Sequence, residues 1–467
     1  MYISCPCPPG TPSKTFEQER QPPRTLFLHQ NSPRTMSGAV SNSLEGPDGG
    51  RPGWVAVLAL WTRNLMVTGI TKGLGIMLPT LQIQLTSQMW IIGWIASLTT
   101  ATSGLVAPFG GLVSRRFGAG YVMMTCGVMM SAAVIAGSFV ENSLQLALLY
   151  TLLAGTAIGI SNVVAKEAVG RCFTKNYATA NGIARTGFSV GLIVFAPLVQ
   201  LFLDTYGWRG TMLLVGAITM HFVASGAVMV ATRQPELDQS NAYQTLPQTE
   251  HTNSSSAHES TLRSHCGSLR KFVSKNFEVE LLINARYWLL AVISCCTIYA
   301  YLMWIVYFVS QAQSNGFTLE EAGSFVTIAG IANLFGKISQ GLITDRGVMS
   351  SWTLVAVCLV MSSVSYLASS LLTSYWPMMT SAVLILFSDG VLSCQTDVLV
   401  KQVLGVELLA GAFGWIALKV TLLLVALGFL PGLVYDLTGS YTAAFLLIGS
   451  VQAVPLVPLL MLRYSQR

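Results

Sequence analysis

Charge is what this sequence has least of. Only 10% of its 467 residues are Asp, Glu, Lys or Arg, against about 25% in ordinary soluble domains. A chain so poor in charge cannot cover a water-facing surface, and apolar windows of about 20 residues, enough to cross ~30 Å of hydrocarbon, recur along it. The lipid bilayer is therefore its solvent. Other absences narrow the chemistry. There is no Walker loop, dinucleotide fingerprint, paired metal-ligand motif or Gly-x-Ser-x-Gly elbow, so the reading is no enzyme, no cofactor and no metal. The nine cysteines supply no disulfide framework: Cys126, Cys295, Cys296, Cys358 and Cys394 fall in apolar runs, and Cys5-Pro-Cys7 has neither zinc nor redox spacing. No charged, apolar and small-residue succession marks a removable signal at the start. The net charge of +6 is spread between apolar runs rather than massed on one face, which argues against nucleic acid.

Twelve apolar spans are expected, at 54–81, 89–113, 119–140, 144–166, 178–203 and 209–231, then 286–313, 320–344, 351–373, 376–401, 407–434 and 440–462. Residues 1–50, rich in Pro, Ser, Thr and Gln, read as a disordered tail, and 233–285 as a flexible linker between a first half (51–232) and a second (286–462), with 463–467 a short end. Lys and Arg collect on one side, at Arg115, Arg116, Arg171, Lys175, the linker, Arg346 and Arg463. The other side has essentially Arg209. Both termini and the linker are thus expected in the cytoplasm, and the sequon at Asn253 should stay unglycosylated.

The halves echo each other. "GLVSRRFG" (Gly111 to Gly118, with Arg115 and Arg116) closes the second span, and "GLITDRG" (Gly341 to Gly347, with Asp345 and Arg346) closes the second span of the later half. Two six-helix units around a central linker resemble the major facilitator fold, an all-α membrane architecture whose halves rock about a midplane site.

Two polar stripes cross the apolar spans. Asn64, Thr68 and Lys72 lie within ~80° on the first helix, and Asn333, Lys337, Gln340 and Thr344 within ~60° on the eighth. An ionisable group at such depth usually faces a cavity or a partner rather than lipid. Asp389 sits centrally in "ILFSDGVLSCQ" of the tenth span. Asp397 and Lys401, at i,i+4 spacing, read as a structural pair. Lys419, well inside the eleventh span, is a candidate for the cavity wall. Arg63, ~180° around from Lys72, is expected to snorkel or to touch a neighbouring helix. Arg185 is expected at the headgroups, and His221 as a hydrogen-bonded packing residue.

Three stretches point further. "PDGGRPGW" (47–54), "CFTKNYATANGIARTGFSVG" (172–191, with Lys175, Gly182, Ala184 and Gly187) and "GIANLFGKISQGLITDRG" resemble strings of the monocarboxylate transporter family. The resemblance implies that Lys72 binds a substrate carboxylate, and that the eighth helix carries an Asp and, four residues on, an Arg for anion binding and proton coupling. Here those positions hold Asn333 and Lys337. An amide cannot titrate and Lys lacks the bidentate fork, so Asp389 is the candidate to take the proton. Gly182 and Gly187 are read as close-packing positions. The expected function is secondary transport of a small organic anion, with H+ as co-substrate, at the plasma membrane. A facilitative carrier of an amino acid or creatine-like zwitterion, and a non-transporting sensor, remain open alternatives. The resemblance also admits a single-pass glycoprotein as partner.

Overall fold

The computed structural model describes residues 48–85, 89–232 and 278–465. The expectations for the tail before residue 48, for 233–277 and for Asn253 lie outside them. Every regular element among the described residues is helical. Ten helices are long and apolar enough to cross a bilayer, eleven when a pair bent by 62° is counted as one span. One of the ten, Tyr177–Ala231, runs for 55 residues, which would be about 80 Å of straight helix against ~30 Å of hydrocarbon. It breaks at Gly207, where φ is 67° and ψ −179°, a conformation open to glycine without steric cost. Read as two, it brings the crossings among the described residues to twelve.

We label them α1 (Gly50–Leu85), α2 (Met89–Val106 with Phe109–Phe117), α3 (Ala119–Gly137), α4 (Ser143–Cys172), α5 (177–206), α6 (208–231), α7 (Ala285–Ser314), α8 (Leu319–Asp345), α9 (Ser351–Ser369), α10 (Tyr375–Leu404), α11 (Leu409–Thr438) and α12 (Tyr441–Tyr464). The bend in α2 falls at Ala107-Pro108, as expected where a ring removes a ladder hydrogen bond. In α4 one turn, Leu149–Gly155, is a π-turn. A capping box starts α8, with Thr318 Oγ1 accepting from Glu321 N and the Glu321 carboxylate accepting from Thr318 N.

The two echoed motifs do what their glycines suggest. Gly118 (φ 83°) and Gly347 (φ 72°) both turn the chain in the left-handed region. The first glycine of each motif lies at a crossing between halves: a Cβ on Gly111 would meet Ala410 of α11 at 2.9 Å, and one on Gly341 would run into the Thr179 backbone of α5. The crossings α2–α11 and α5–α8 are thus exchanged by the internal repeat.

The described residues begin at Asp48, which is bound by the turn just ahead of α5. Glu278, in the left-handed region at φ 50°, pairs with Arg115 and accepts a hydrogen bond from Gly411 N. Residues Val279–Ile283 then form a 3-10 turn.

Candidate substrate site between the two halves

The second polar stripe faces inward along its whole length. Asn333, Lys337 and Gln340 are buried. Gln340 Nε2 donates to Ala178 O of α5 at 2.8 Å, and Gln395 Nε2 of α10 donates to Gln340 Oε1 (2.7 Å) and Thr344 Oγ1 (2.6 Å). At the middle of the stripe a continuous polar chain crosses from one half to the other. Lys337 Nζ donates to Ser189 Oγ of α5 at 2.9 Å, Ser189 Oγ donates to Asn333 Oδ1 at 3.4 Å, and Asn333 Nδ2 donates to Asp389 Oδ2 of α10 at 3.1 Å. The same amide also donates to Leu386 O at 2.8 Å. The backbone approach that permits this is made by glycine: a Cβ at Gly390 would lie against the Asn333 backbone, and one at Gly336 would meet Val391 N at 3.3 Å. Asp389 therefore delivers a carboxylate to the side of the amide at position 333.

The first stripe divides. Asn64 is buried and its Nδ2 donates to Ala184 O at 3.0 Å, while Thr68 Oγ1 donates to Asn64 O of its own helix. Both are packing positions against α5, where a Cβ on Gly191 would meet Thr68 Cβ at 2.9 Å. Lys72 is exposed and has no hydrogen bond or ion pair among the described residues. Its level is given by α5, which runs parallel to α1: the Gly73 position meets Val199, whereas Asn333 meets Ser189. Roughly nine residues of helix separate the Lys72 backbone from the level of the Lys337 ammonium group at Ser189, an axial offset of about 13 Å.

Other residues take places the sequence reading did not give them. Asp397 and Lys401 are not a pair. Asp397 turns to the first half, accepting from Lys166 Nζ of α4 at 3.2 Å and from Arg185 of α5 through Nη2 (2.6 Å) and Nε (3.0 Å). Arg185 is thus a half-buried inter-half contact and not a headgroup anchor. Lys401 donates to Phe173 O and stands 4.2 Å over the Tyr177 ring. Lys419 donates to Tyr287 OH at 2.6 Å and lies 3.8 Å over the Trp288 ring, at the start of α7, away from Asn333 and Asp389. His221 is exposed, and among the described residues its ring bonds to Ile218 O of its own turn. Arg63 does reach a neighbour, α4, through Ile158 O (2.8 Å) and Ser161 Oγ (3.4 Å). Gly182 and Gly187 serve close packing, against the Lys337 and Trp61 carbonyls. Arg116 stays exposed beside the Phe117 ring.

Two stretches quoted for the family resemblance meet each other. Asp48 accepts from the backbone N–H groups of Thr174 (2.7 Å), Lys175 (3.1 Å) and Asn176 (2.6 Å), just ahead of α5. Partial burial pushes its carboxyl up, but these hydrogen bonds prevail and hold it below the usual Asp value. On the same helix end Asp345 accepts from Thr179 N at 2.7 Å, the third residue of α5. Glu278 accepts from Gly411 N, the third residue of α11. Both repeat-related helix starts thus receive a carboxylate where the helix dipole favours one.

Known proteins bear on this arrangement. The profile of the Major Facilitator Superfamily matches residues 60–428. The chain belongs to that superfamily. It is a multi-pass membrane protein whose relatives are transporters. Monocarboxylate transporter 12 of Mus musculus is 26% identical over 89% of this chain and 86% of its own length. The Homo sapiens protein of that name is 27% identical over 88% and 80%, and monocarboxylate transporter 13 of Rattus norvegicus 26% over 87% of each. Within the superfamily the chain is a divergent relative of the monocarboxylate transporters. In fold it is similar to the transporter FucP in its outward conformation (TM-score 0.62, 14% identity, 88% of this chain and 99% of that one) and to the proton:xylose symporter XylE (TM-score 0.65, 10%, 87% and 94%).

Proposed function

We propose that the protein carries a small organic anion, a monocarboxylate or a close analogue, across the plasma membrane by alternating access, together with a proton. The observation that carries this reading is the Lys337–Ser189–Asn333–Asp389 chain, which sets one cation and one carboxylate at a buried junction of the two halves. Lys337 offers the anion its charge. Asp389 stands where the family's eighth-helix carboxylate would, moved to the adjacent helix, and takes the proton role that Asn333 cannot. Lys72 waits about 13 Å further along the axis, its side chain leaning back toward the helix start and so toward Lys337. A carboxylate accepting from both ammonium groups spans about 8 Å, which Lys72 reaches on bending inward. Occupancy relieves repulsion between the two cations and favours closure, because a ligand shifts populations only by differential affinity.

The test is uptake of a substrate panel in a cell lacking endogenous carriers, with Lys337→Met and Lys72→Ala compared. Both are expected to raise the half-saturation concentration at least tenfold or to abolish uptake. Uptake by Lys337→Met equal to that of the parent overturns the reading. The pairing of Lys337 with Asp389 also suits a zwitterion carried without a proton. Intracellular pH recorded during addition of lactate, pyruvate or an aromatic amino acid separates the two, since only proton-linked entry acidifies the cell. Flux in proteoliposomes excludes a sensor that does not transport.

A further inference from the structure

The cations of the first half outnumber the carboxylates that face them. Arg63 is 3% exposed yet every acceptor it meets is neutral: Asn64 Oδ1 (2.9 Å), Ile158 O and Ser161 Oγ. Lys166 lies five residues beyond Ser161 on α4. Arg185 follows Ala184, whose carbonyl takes the Asn64 amide. The three cations therefore form one group on α1, α4 and α5. Among the described residues a single carboxylate, Asp397, comes to them, and it comes from the other half. It is held as a free carboxylate would be: Oδ1 accepts from Lys166, Oδ2 accepts from Arg185 twice, and Asn181 Nδ2 adds a contact to Oδ2 at 3.4 Å. Phe413 of α11, with Lys166 Nζ 4.8 Å over its ring, lies against one of these donors.

Asp397 belongs to a body that must move relative to these donors if access alternates. Separation of α10 from α4 and α5 withdraws the carboxylate and leaves two cations, with Arg63 behind them, at the opening. Unpaired charges at such depth are costly, and an anion from solution relieves that cost.

We propose that Arg63, Lys166 and Arg185 form a second carboxylate site, filled by Asp397 in the conformation seen here and by the transported anion when the halves part on this side. Its place in the cycle rests on the transport reading above; its ability to hold a carboxylate does not. The site takes one carboxylate group, the group that Asp397 presents to it here.

Two measurements on the full chain test this. In Asp397→Ala, sodium propionate at 20 mM should raise the thermal midpoint by several degrees, with sodium chloride at equal ionic strength and propionate on the parent each moving it by less than one. If that variant does not fold, Asp397→Asn is used for equilibrium binding of radiolabelled propionate. Adding Arg185→Gln and Lys166→Met should abolish the response. In proteoliposomes, Asp397→Asn should lower the half-saturation concentration on the side carrying the basic loops at least fivefold. The triple variant lacks the inter-half contact equally but should lose that gain. No propionate response in the single variant, or a gain that persists in the triple variant, overturns the site and marks Asp397 as a latch only. Loss of transport in Lys337→Met, with the propionate response intact, bears on the transport reading alone.

Discussion

Replacing Gly341 by Ala should open the side of the protein that is closed here. The added methyl has no free volume: beyond the Thr179 Cα it would meet Thr179 N at 2.7 Å and Oγ1 at 2.9 Å, where the backbone of α5 crosses α8. Neither neighbour is the loose end of a long side chain, so one helix has to move. Overpacking of this kind costs about 1–3 kcal/mol. The contact exists only while the two halves touch at this crossing, so the cost falls on this conformation and not on its alternative. A central value of ~2 kcal/mol changes the ratio of the two states by about 30-fold. Cys394 reports the change. Its side chain is fully buried on α10 and its carbonyl accepts from Asn181 Nδ2 of α5 at 3.2 Å, so alkylation requires the halves to separate there. In a chain keeping Cys394 as its sole cysteine, the rate of reaction with N-ethylmaleimide should rise by about that factor in Gly341→Ala. Gly330→Ala, on the same helix but with nothing within 4 Å of its Cβ, should leave the rate within about twofold. A Gly341→Ala rate equal to the parent's would refute the argument.

Asp389→Asn should flatten the dependence of uptake on external pH while leaving the protein folded, since Asn at this position still accepts from the Asn333 amide; uptake as steep in pH as the parent's rules out a proton role for Asp389. Asp48→Asn should lower stability at pH 7 by about 1 kcal/mol, because a neutral amide forfeits the charge that strengthens the hydrogen bonds from Thr174, Lys175 and Asn176, read as a lower thermal midpoint. Because the folded state holds the Asp48 carboxyl below its ordinary value, this contribution is present above about pH 4 and is lost as pH falls through the folded value. The two melting curves should therefore draw together as pH falls below about 4, and a gap that stays constant or widens there would contradict the assignment. Glu278→Gln should weaken the hold on both Arg115 and Gly411 N, and limited proteolysis between Glu278 and Arg286 should become faster.

The fold was legible in the sequence because lipid imposes simple rules: length sets the spans, basic residues set the sides, and the paired Gly111 and Gly341 motifs reveal the duplication. The eighth-helix stripe was legible for the same reason, since Asn333, Lys337 and Gln340 share one face in any helix. The Asp397 cluster was not. Its partners are 231 and 212 residues away, and local spacing offered Lys401 instead, which the fold sends to Phe173. Lys166 falls at the last position of the fourth apolar span, where a headgroup contact is the plain expectation, whereas the helix continues to Cys172. Ser189 carries no charge and sits in a motif of small residues, so nothing in the sequence marks it as the link between Lys337 and Asn333. Lys72 was legible as a buried-run lysine, but its distance from Lys337 depends on how far α1 slides along α5, which no single-helix pattern encodes.

The wide turn at Leu149–Gly155 has a consequence for everything beyond it on α4. One surplus residue rotates the rest of a helix by about 100°, so this turn sets the azimuth at which Ser161 meets Arg63 and Lys166 meets Asp397. Winding the same residues as unbroken α-helix would leave the span long enough to cross the bilayer and still apolar. It would also turn Lys166 by about 100° away from Asp397, parting a charge pair without changing a single side chain that carries a charge.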